Sequence, residues 1–327
     1  MKFYDRTEAR CRMNELARQG IPYLFVIDYE GSRALVEAEQ DIDPDELLYS
    51  FNGVGNAEQL HRQPIGPIDW QIHPPTFEEY ARSFNIVRKQ LLDGNSYLVN
   101  LTCRVGLTTD LSLRDIFLCA DAPYRLWLRN TLVCFSPEPF VRICHGEISS
   151  FPMKGTADAT LLDAADRLMS NEKEAAEHAT IVDLIRNDLS IVSDCVRVVR
   201  YRYLETLQTH KGPLLQTSSE IRGRLFPHLV HRPGDILFSQ LPAGSITGAP
   251  KRKTVDIIAD AETYRRDFYT GVMGRWSNGS LDSAVMIRFI DQTDGQFYFK
   301  AGGGITAKSL CRDEYQEIID KVYVPIH

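Results

Sequence analysis

No stretch of this 327-residue chain approaches the roughly 18 consecutive apolar residues that a membrane-spanning helix requires, and the charged opening MKFYDRTEARCRMNELARQG lacks the apolar core of an export signal. Membrane insertion and secretion are not expected. An excess of basic charge is also missing: 37 Lys and Arg against 44 Asp and Glu give a net charge of −7, so no overall positive field exists to attract a nucleic-acid backbone or an anionic membrane. The seven cysteines form no CxxC pair, are odd in number and lie far apart. That disfavours a disulfide framework and a zinc site, and fits a reducing cytoplasm. Internal repeats, low-complexity tracts and flexible linkers are absent too. A single domain over 1–327 is the simplest reading, with a core large enough to fold without a staple.

Two glycine-containing stretches imitate nucleotide sites and fail on spacing. GSITGAPK at 244–251 has too few residues between its glycines for a phosphate-binding P-loop, and AGGGIT at 301–306 lacks both the GxGxxG order and a βαβ setting. Three adjacent glycines still allow a ligand to approach the backbone, leaving N–H groups free to hold a carboxylate.

Paired strands are expected within 21–55, broken by the turn at Glu30-Gly31-Ser32. Thr76 with Glu79 makes a capping box that opens a helix to about Leu92, ahead of a turn at Asp93-Gly94. A strand follows from Tyr97 to Val105. The pattern from Asp158 to about Leu184 is helical in two pieces, because Asn171 and Glu174 form a second capping signature. Further strands are read at Val196–Tyr203, Ser219–Leu225, Ser283–Ile290 and Gln296–Ala301, the last two joined across Asp294-Gly295, with helices near 251–262 and 313–321. The Pro- and Gly-containing stretch 227–235 reads as a loop. Hairpin-linked neighbours favour an antiparallel α+β architecture.

Glu174 and Glu177 lie three apart on a helical stretch, and Glu314 and Glu317 repeat that spacing, so each pair shares a helix face. Four carboxylates from two helices suit magnesium, which prefers oxygen ligands and retains water; solvated helix faces would show the same spacing. Lys154 sits between Pro152 and Gly155 in FPMKGTA, where a constrained turn could aim an amine into a cleft, although a surface lysine beside a turn reads identically. Arg288, flanked by Met286, Ile287, Phe289 and Ile290, needs an anion if it lies inside a strand core: a structural acid or a substrate carboxylate.

These residues fall within long collinear motifs: SPEPF at 136–140, PMKGT at 152–156, EHATIVDLIRNDLS at 177–190, LPAGSITGAPK at 241–251, YTGVMG at 269–274, MIRF at 286–289, and AGGGIT followed by DEYQEIIDK. Over roughly 75–325 the sequence resembles the chorismate-utilising enzymes, and among them the aminodeoxychorismate synthases. The resemblance implies an α+β fold of layered antiparallel sheets with flanking helices, in which 1–74 is a shortened strand-rich part. It implies one chorismate site and one magnesium ion, with Glu177 and Glu317 as principal ligands supported by Glu174 and Glu314. Tyr269, Arg288 and the backbone of Gly302, Gly303 and Gly304 would bind the enolpyruvyl carboxylate, while Thr247 and Lys321 would line the same cavity.

By the same resemblance Lys154 is the nucleophile and Glu138 the acid that protonates the leaving hydroxyl. Anthranilate synthases carry alanine at the lysine position, so anthranilate synthase component I is the alternative that Lys154 opposes; a non-catalytic paralogue that binds chorismate or an amidotransferase is the other. Ammonia would come from a separate glutamine amidotransferase subunit, and the product would lead to p-aminobenzoate and folate. Three departures stand out. Gln216 in LLQTSSEI replaces a histidine and would hydrogen-bond a hydroxyl without shuttling a proton. The N-terminal part is shorter than in many members, so no tryptophan pocket is expected. His178-Ala179-Thr180 replaces a bulkier apolar stretch and reads as repacking.

Overall fold

A computed structural model describes residues 1–57, 60, 69–209 and 212–323. Strand Tyr23–Ile27 shows how its layers arise. All five residues are buried, and they serve two cores by turns. Tyr23, Phe25 and Ile27 share a core with the helix residues Met13, Ile181 and Ile236, whereas Leu24 and Val26 share one with Leu126, Leu128 and Leu132 of a second sheet. The period-two alternation of a strand thus divides one continuous apolar run between two faces. Leu132–Ser136 repeats the device: Leu132 and Cys134 face the first sheet, while Val133 and Phe135 face a second helix layer.

The outcome is helix, sheet, sheet, helix, the expected layered α+β class. Among the described residues one sheet has ten strands and the other nine, and the pairings are antiparallel. Strands from the first 74 residues enter both sheets: Tyr23–Ile27 and Arg33–Ala38 the larger, Leu47–Phe51 and Trp70–His73 the smaller. Part of that stretch, 58–59 and 61–68, lies outside the described residues.

Local signals explain several boundaries. Helix Phe77–Leu92 begins where Thr76 accepts from the Glu79 N–H and the Glu79 carboxylate accepts from the Thr76 N–H at 2.8 Å; its buried stripe is Tyr80, Phe84, Val87 and Leu91. The helical pattern after Asp158 divides at Asn171 into Ala164–Ser170 and Glu172–Ser190, with the Asn171 side chain capping the second piece at the Glu174 N–H.

Other readings need correction. The stretch read as a loop at 227–235 enters helix Pro233–Gln240, and the charged N-terminus, for which no element was read, forms helix Arg6–Gln19. The run Ser283–Ile290 is not one strand. It is the end of Ser280–Val285 in the ten-stranded sheet and the start of Phe289–Thr293 in the nine-stranded sheet, separated by a crossing in which Arg288 adopts φ +52°. A second crossing runs beside it, from Leu132–Ser136 in the smaller sheet to Pro139–Cys144 in the larger. Glu138 lies in that second crossing and Arg288 in the first.

Candidate active site

The two crossings open onto a cavity of about 160 Å³ lined by Glu138, Lys154, Tyr269, Arg288, Gly302, Gly303, Gly304 and Lys321, together with Asn100, Ser245, Ile246 and Lys300. Eight residues singled out from the sequence therefore meet in one place.

Lys154 owes its position to an irregularity. Met153 and Lys154 pair with Ser218 and Thr217, but Thr156 already pairs with Gln216, so Gly155 is an extra residue at φ +71°. A bulge of this kind bends the strand and re-aims the side chain beside it. The Thr217 hydroxyl holds the Lys154 carbonyl from the neighbouring strand. Glycine is needed on steric grounds as well: a Cβ at 155 would stand 3.0 Å from Glu174 Oε2 and 2.9 Å from Leu168 Cδ1.

The glycine run faces this strand from the other sheet, with Gly302, Gly303 and Gly304 paired to Thr102, Leu101 and Asn100. A Cβ on Gly304 would lie 3.4 Å from Lys154 Nζ, and one on Gly303 would lie 3.3 Å from Glu314 Oε2 and 3.9 Å from Lys321 Nζ. The missing side chains are thus the space in which a ligand would meet these charges.

Burial pushes the Glu138 carboxyl above its ordinary range, opposed by a hydrogen bond with Ser245 and by the Lys154 charge. A carboxyl so placed favours its protonated form, as an acid donor should. Burial likewise pushes the Tyr269 phenol up, with the Arg266 charge opposing, which keeps it a neutral donor. Among the described residues Arg288 does not rest on an acid: its Nη1 donates to the Lys321 carbonyl at 2.9 Å and its guanidinium lies 4.7 Å from the centre of the Tyr323 ring. Lys321 in turn donates from Nζ to the Gly302 carbonyl at 3.0 Å and pairs with Glu317 at 2.6 Å.

The four acids are not drawn into one cluster. Among the described residues no group of three or more His, Cys, Asp or Glu side chains is arranged to hold a metal ion. Glu174 stands against Gly155, Glu314 is buried against Gly303, and Glu317 is engaged by Lys321. The donor set nevertheless suits a hard cation. It is all carboxylate oxygen, and two of its members press on glycines that leave them room.

Two expected lining residues lie elsewhere. The Thr247 side chain is fully buried and donates to the Ala243 carbonyl at 2.8 Å; the short turn Gly244–Ile246 presents Ser245 and Ile246 to the cavity instead. Gln216 pairs across the hairpin with Glu205 and is not among the lining residues, because strand alternation gives the position beside Lys154 to Thr217. Ser245 was within reach of the sequence as part of LPAGSITGAPK, whereas Asn100 and Lys300 carry no local signal. His178 does more than fill space. It is fully buried, its Nε2 lies 2.6 Å from Ser219 Oγ, and its Nδ1 is buried without a hydrogen-bond partner. Burial, then the Arg202 and Lys154 charges, push its pKa down to about 4, so the ring is neutral.

All seven cysteines are free, and among the described residues no helix is long and apolar enough to cross a membrane. A family model described as chorismate binding enzyme matches residues 23–327. An uncharacterized PabA-like protein of Haemophilus influenzae is 46% identical over 313 residues, covering 96% of this chain and 95% of its own length. Aminodeoxychorismate synthase component 1 of Escherichia coli is 34% identical over 269 residues, which cover 78% of this chain and 58% of that protein. The crystal structure of anthranilate synthase component I from Streptococcus pneumoniae matches with a TM-score of 0.67 at 29% identity, covering 81% of this chain and 60% of that one. With its glycine-lined cavity between two antiparallel sheets, this chain belongs to the family of chorismate binding enzymes.

Proposed function

We propose that this chain converts chorismate and ammonia to 4-amino-4-deoxychorismate, the precursor of p-aminobenzoate, in the cytoplasm, with ammonia delivered by a glutamine amidotransferase subunit. The observation that carries the reading is the placement of Lys154 and Glu138 in the same cavity as Arg288, Tyr269 and Gly302 to Gly304. The Lys154 amine attacks ring carbon 2 of chorismate. The ring double bonds shift, and the hydroxyl at carbon 4 leaves with a proton from Glu138. Ammonia then attacks carbon 4, the double bonds shift back, the lysine leaves as its neutral amine with the bonding electrons, and the new ammonium returns a proton to Glu138.

Two displacements replace one direct substitution, and proton donation offsets the poor leaving ability of hydroxide. Tyr269, Arg288 and the glycine backbone would hold the enolpyruvyl carboxylate. Magnesium, held by Glu174, Glu177, Glu314 and Glu317, would neutralise the ring carboxylate when bound.

The test is to incubate the purified chain with chorismate, magnesium and ammonium at mildly alkaline pH, with aminodeoxychorismate lyase in half of the samples. The expected product is p-aminobenzoate, formed only with the lyase and lost in Lys154→Ala. Anthranilate formed without the lyase would instead support the anthranilate synthase reading, which the likeness to the Streptococcus pneumoniae enzyme keeps in view. An absence of any product with ammonium or with a glutamine-fed partner would support a binding-only paralogue.

A further inference from the structure

Ser219 Oγ accepts a hydrogen bond from the Arg202 backbone N–H at 2.9 Å and lies 2.6 Å from His178 Nε2. A hydroxyl carries one proton and two lone pairs. If it donates that proton to Nε2, the imidazole proton sits on Nδ1 and a single N–H is left over. The opposite tautomer would leave both the serine proton and the Nδ1 lone pair without partners. His178 is therefore an Nδ1–H donor, fully buried, whose hydrogen bond is unmade. Arg202 repeats the situation: Nη2 donates to the Leu168 carbonyl at 3.1 Å, while Nε is buried with no partner. Each such orphan destabilises the fold, and a pair of them in one neighbourhood asks for an acceptor.

The neighbourhood supplies one. Glu174 and His178 are four residues apart on helix Glu172–Ser190, and a helical side chain leans over the turn that precedes it, so the imidazole covers the Glu174 turn. The Glu174 carboxylate and Leu168 crowd the same Gly155, which follows Lys154. We propose that His178 and Arg202 are positioning residues for Glu174: their two spare N–H groups fix its carboxylate in the orientation that a divalent cation requires. With that bond made, the chain would run from Ser219 through His178 to the acid, making the histidine a companion of the ion site. The inference rests on reading these acids as such a site.

Mn²⁺, titrated by electron paramagnetic resonance into the purified chain without chorismate, gives a readout independent of turnover. The informative comparison is between His178→Asn, whose amide replaces Nδ1, and His178→Gln, whose amide reaches the Nε2 position and keeps the Ser219 contact. Positioning through Nδ1 predicts that His178→Asn stays within about twofold of the parent affinity, while His178→Gln and Arg202→Met each weaken it by about tenfold, the effect usual for partners of metal ligands. The double variant should lose less than the product of the two, because both act on one carboxylate. A merely structural histidine would reverse the order, favouring His178→Gln. That reversal, equal losses in the two, unchanged affinity throughout, or no Mn²⁺ binding by the parent would each overturn the proposal. Where a histidine variant unfolds, Arg202→Met poses the same question from the strand side. Should the affinities follow the expected order while the product is anthranilate, the reading of amination at carbon 4 fails and this one stands.

Discussion

The N–H of Val285 donates to the Glu138 carbonyl at 3.1 Å, and the return bond between the same two segments runs from the Phe135 N–H to the Arg288 carbonyl at 3.0 Å. The two crossings between the sheets are thus tied to each other by their backbones. One presents an acid to the cavity and the other a guanidinium, so the spacing of donor and anchor is set by main-chain bonds rather than by flexible side chains.

Glu138 should govern the alkaline side of the pH profile. Its carboxyl is raised by burial, so the protonated donor persists above the ordinary carboxylate range and disappears as pH rises through the raised value. Turnover should fall on that limb, and Glu138→Gln should lose about 10²- to 10⁴-fold in kcat together with the limb itself. Linkage gives a sign for stability as well. The folded state binds this proton more tightly than the unfolded state, so the group's contribution declines as pH rises from about 4.5, its ordinary value, through the raised one. Glu138→Gln should therefore melt higher than the parent at pH 8, and a lower melting temperature there would contradict the assignment.

Gly304→Ala tests the open space beside Lys154. The added methyl would stand 3.2 Å from Leu98 Cδ1, which must give by a few tenths of an ångström, and 3.4 Å from Nζ, where it narrows the space open to the lysine. A misplacement of a reacting group by about 1 Å costs about 100-fold, so this smaller crowding of the lysine is expected to lower kcat by about tenfold or less. The melting temperature should barely move, because the contacts are with side-chain ends. Steady-state kinetics beside a thermal melt separates this from a folding defect.

Glu262 and Arg266 form an ion pair whose side chains are 2% exposed each. Arg266 also donates to the carbonyls of Ile246 and Asn100, both at the cavity wall. Removing one partner of such a pair leaves a buried charge uncompensated, at a cost of about 3–5 kcal/mol. Glu262→Ala should lower the urea midpoint accordingly. It should also raise KM for chorismate, since the wall it supports comes loose.

Magnesium removal should silence the enzyme without unfolding it. The sheets bury three apolar cores, and among the described residues no acid cluster is arranged to bridge them, so the fold is expected to survive without an ion. Chelation should abolish turnover and leave the far-ultraviolet circular dichroism and thermal transition nearly unchanged. A collapse of the transition on chelation would assign the ion a structural role.

Helix starts were legible in the sequence because they are local chemistry. Thr76 with Glu79 and Asn171 with Glu174 cap helices by contacts within four residues. Helix Arg6–Gln19 carried the same kind of signal, an Asp5 and Glu8 capping box ahead of Ala9, Met13 and Leu16, and was obscured by its high charge. The division of Ser283–Ile290 between two sheets had no local signature. Strands covered on both faces read as unbroken apolar runs, and the turn at Arg288 is made by backbone pairing with residues more than a hundred positions away. The site was legible as motifs, eight of whose singled-out residues line one cavity. It was illegible where facing decides, as at Thr247 and Gln216, since one step along a strand or turn exchanges inside for outside.

The cavity lies on the seam between the sheets, with Lys154 on one, the glycine run on the other, and Glu138 and Arg288 in the passages between them. Any molecule that touches all of these at once behaves as a rivet. Its grip would add a further tie between two layers already joined by the chain crossings and by polar contacts such as Tyr124 to Asp282, so that prying one sheet away must also eject the ligand. Catalytic occupancy and mechanical cohesion are then a single property of the protein, and a saturating substrate analogue should make the two halves of the sandwich protect their amides together.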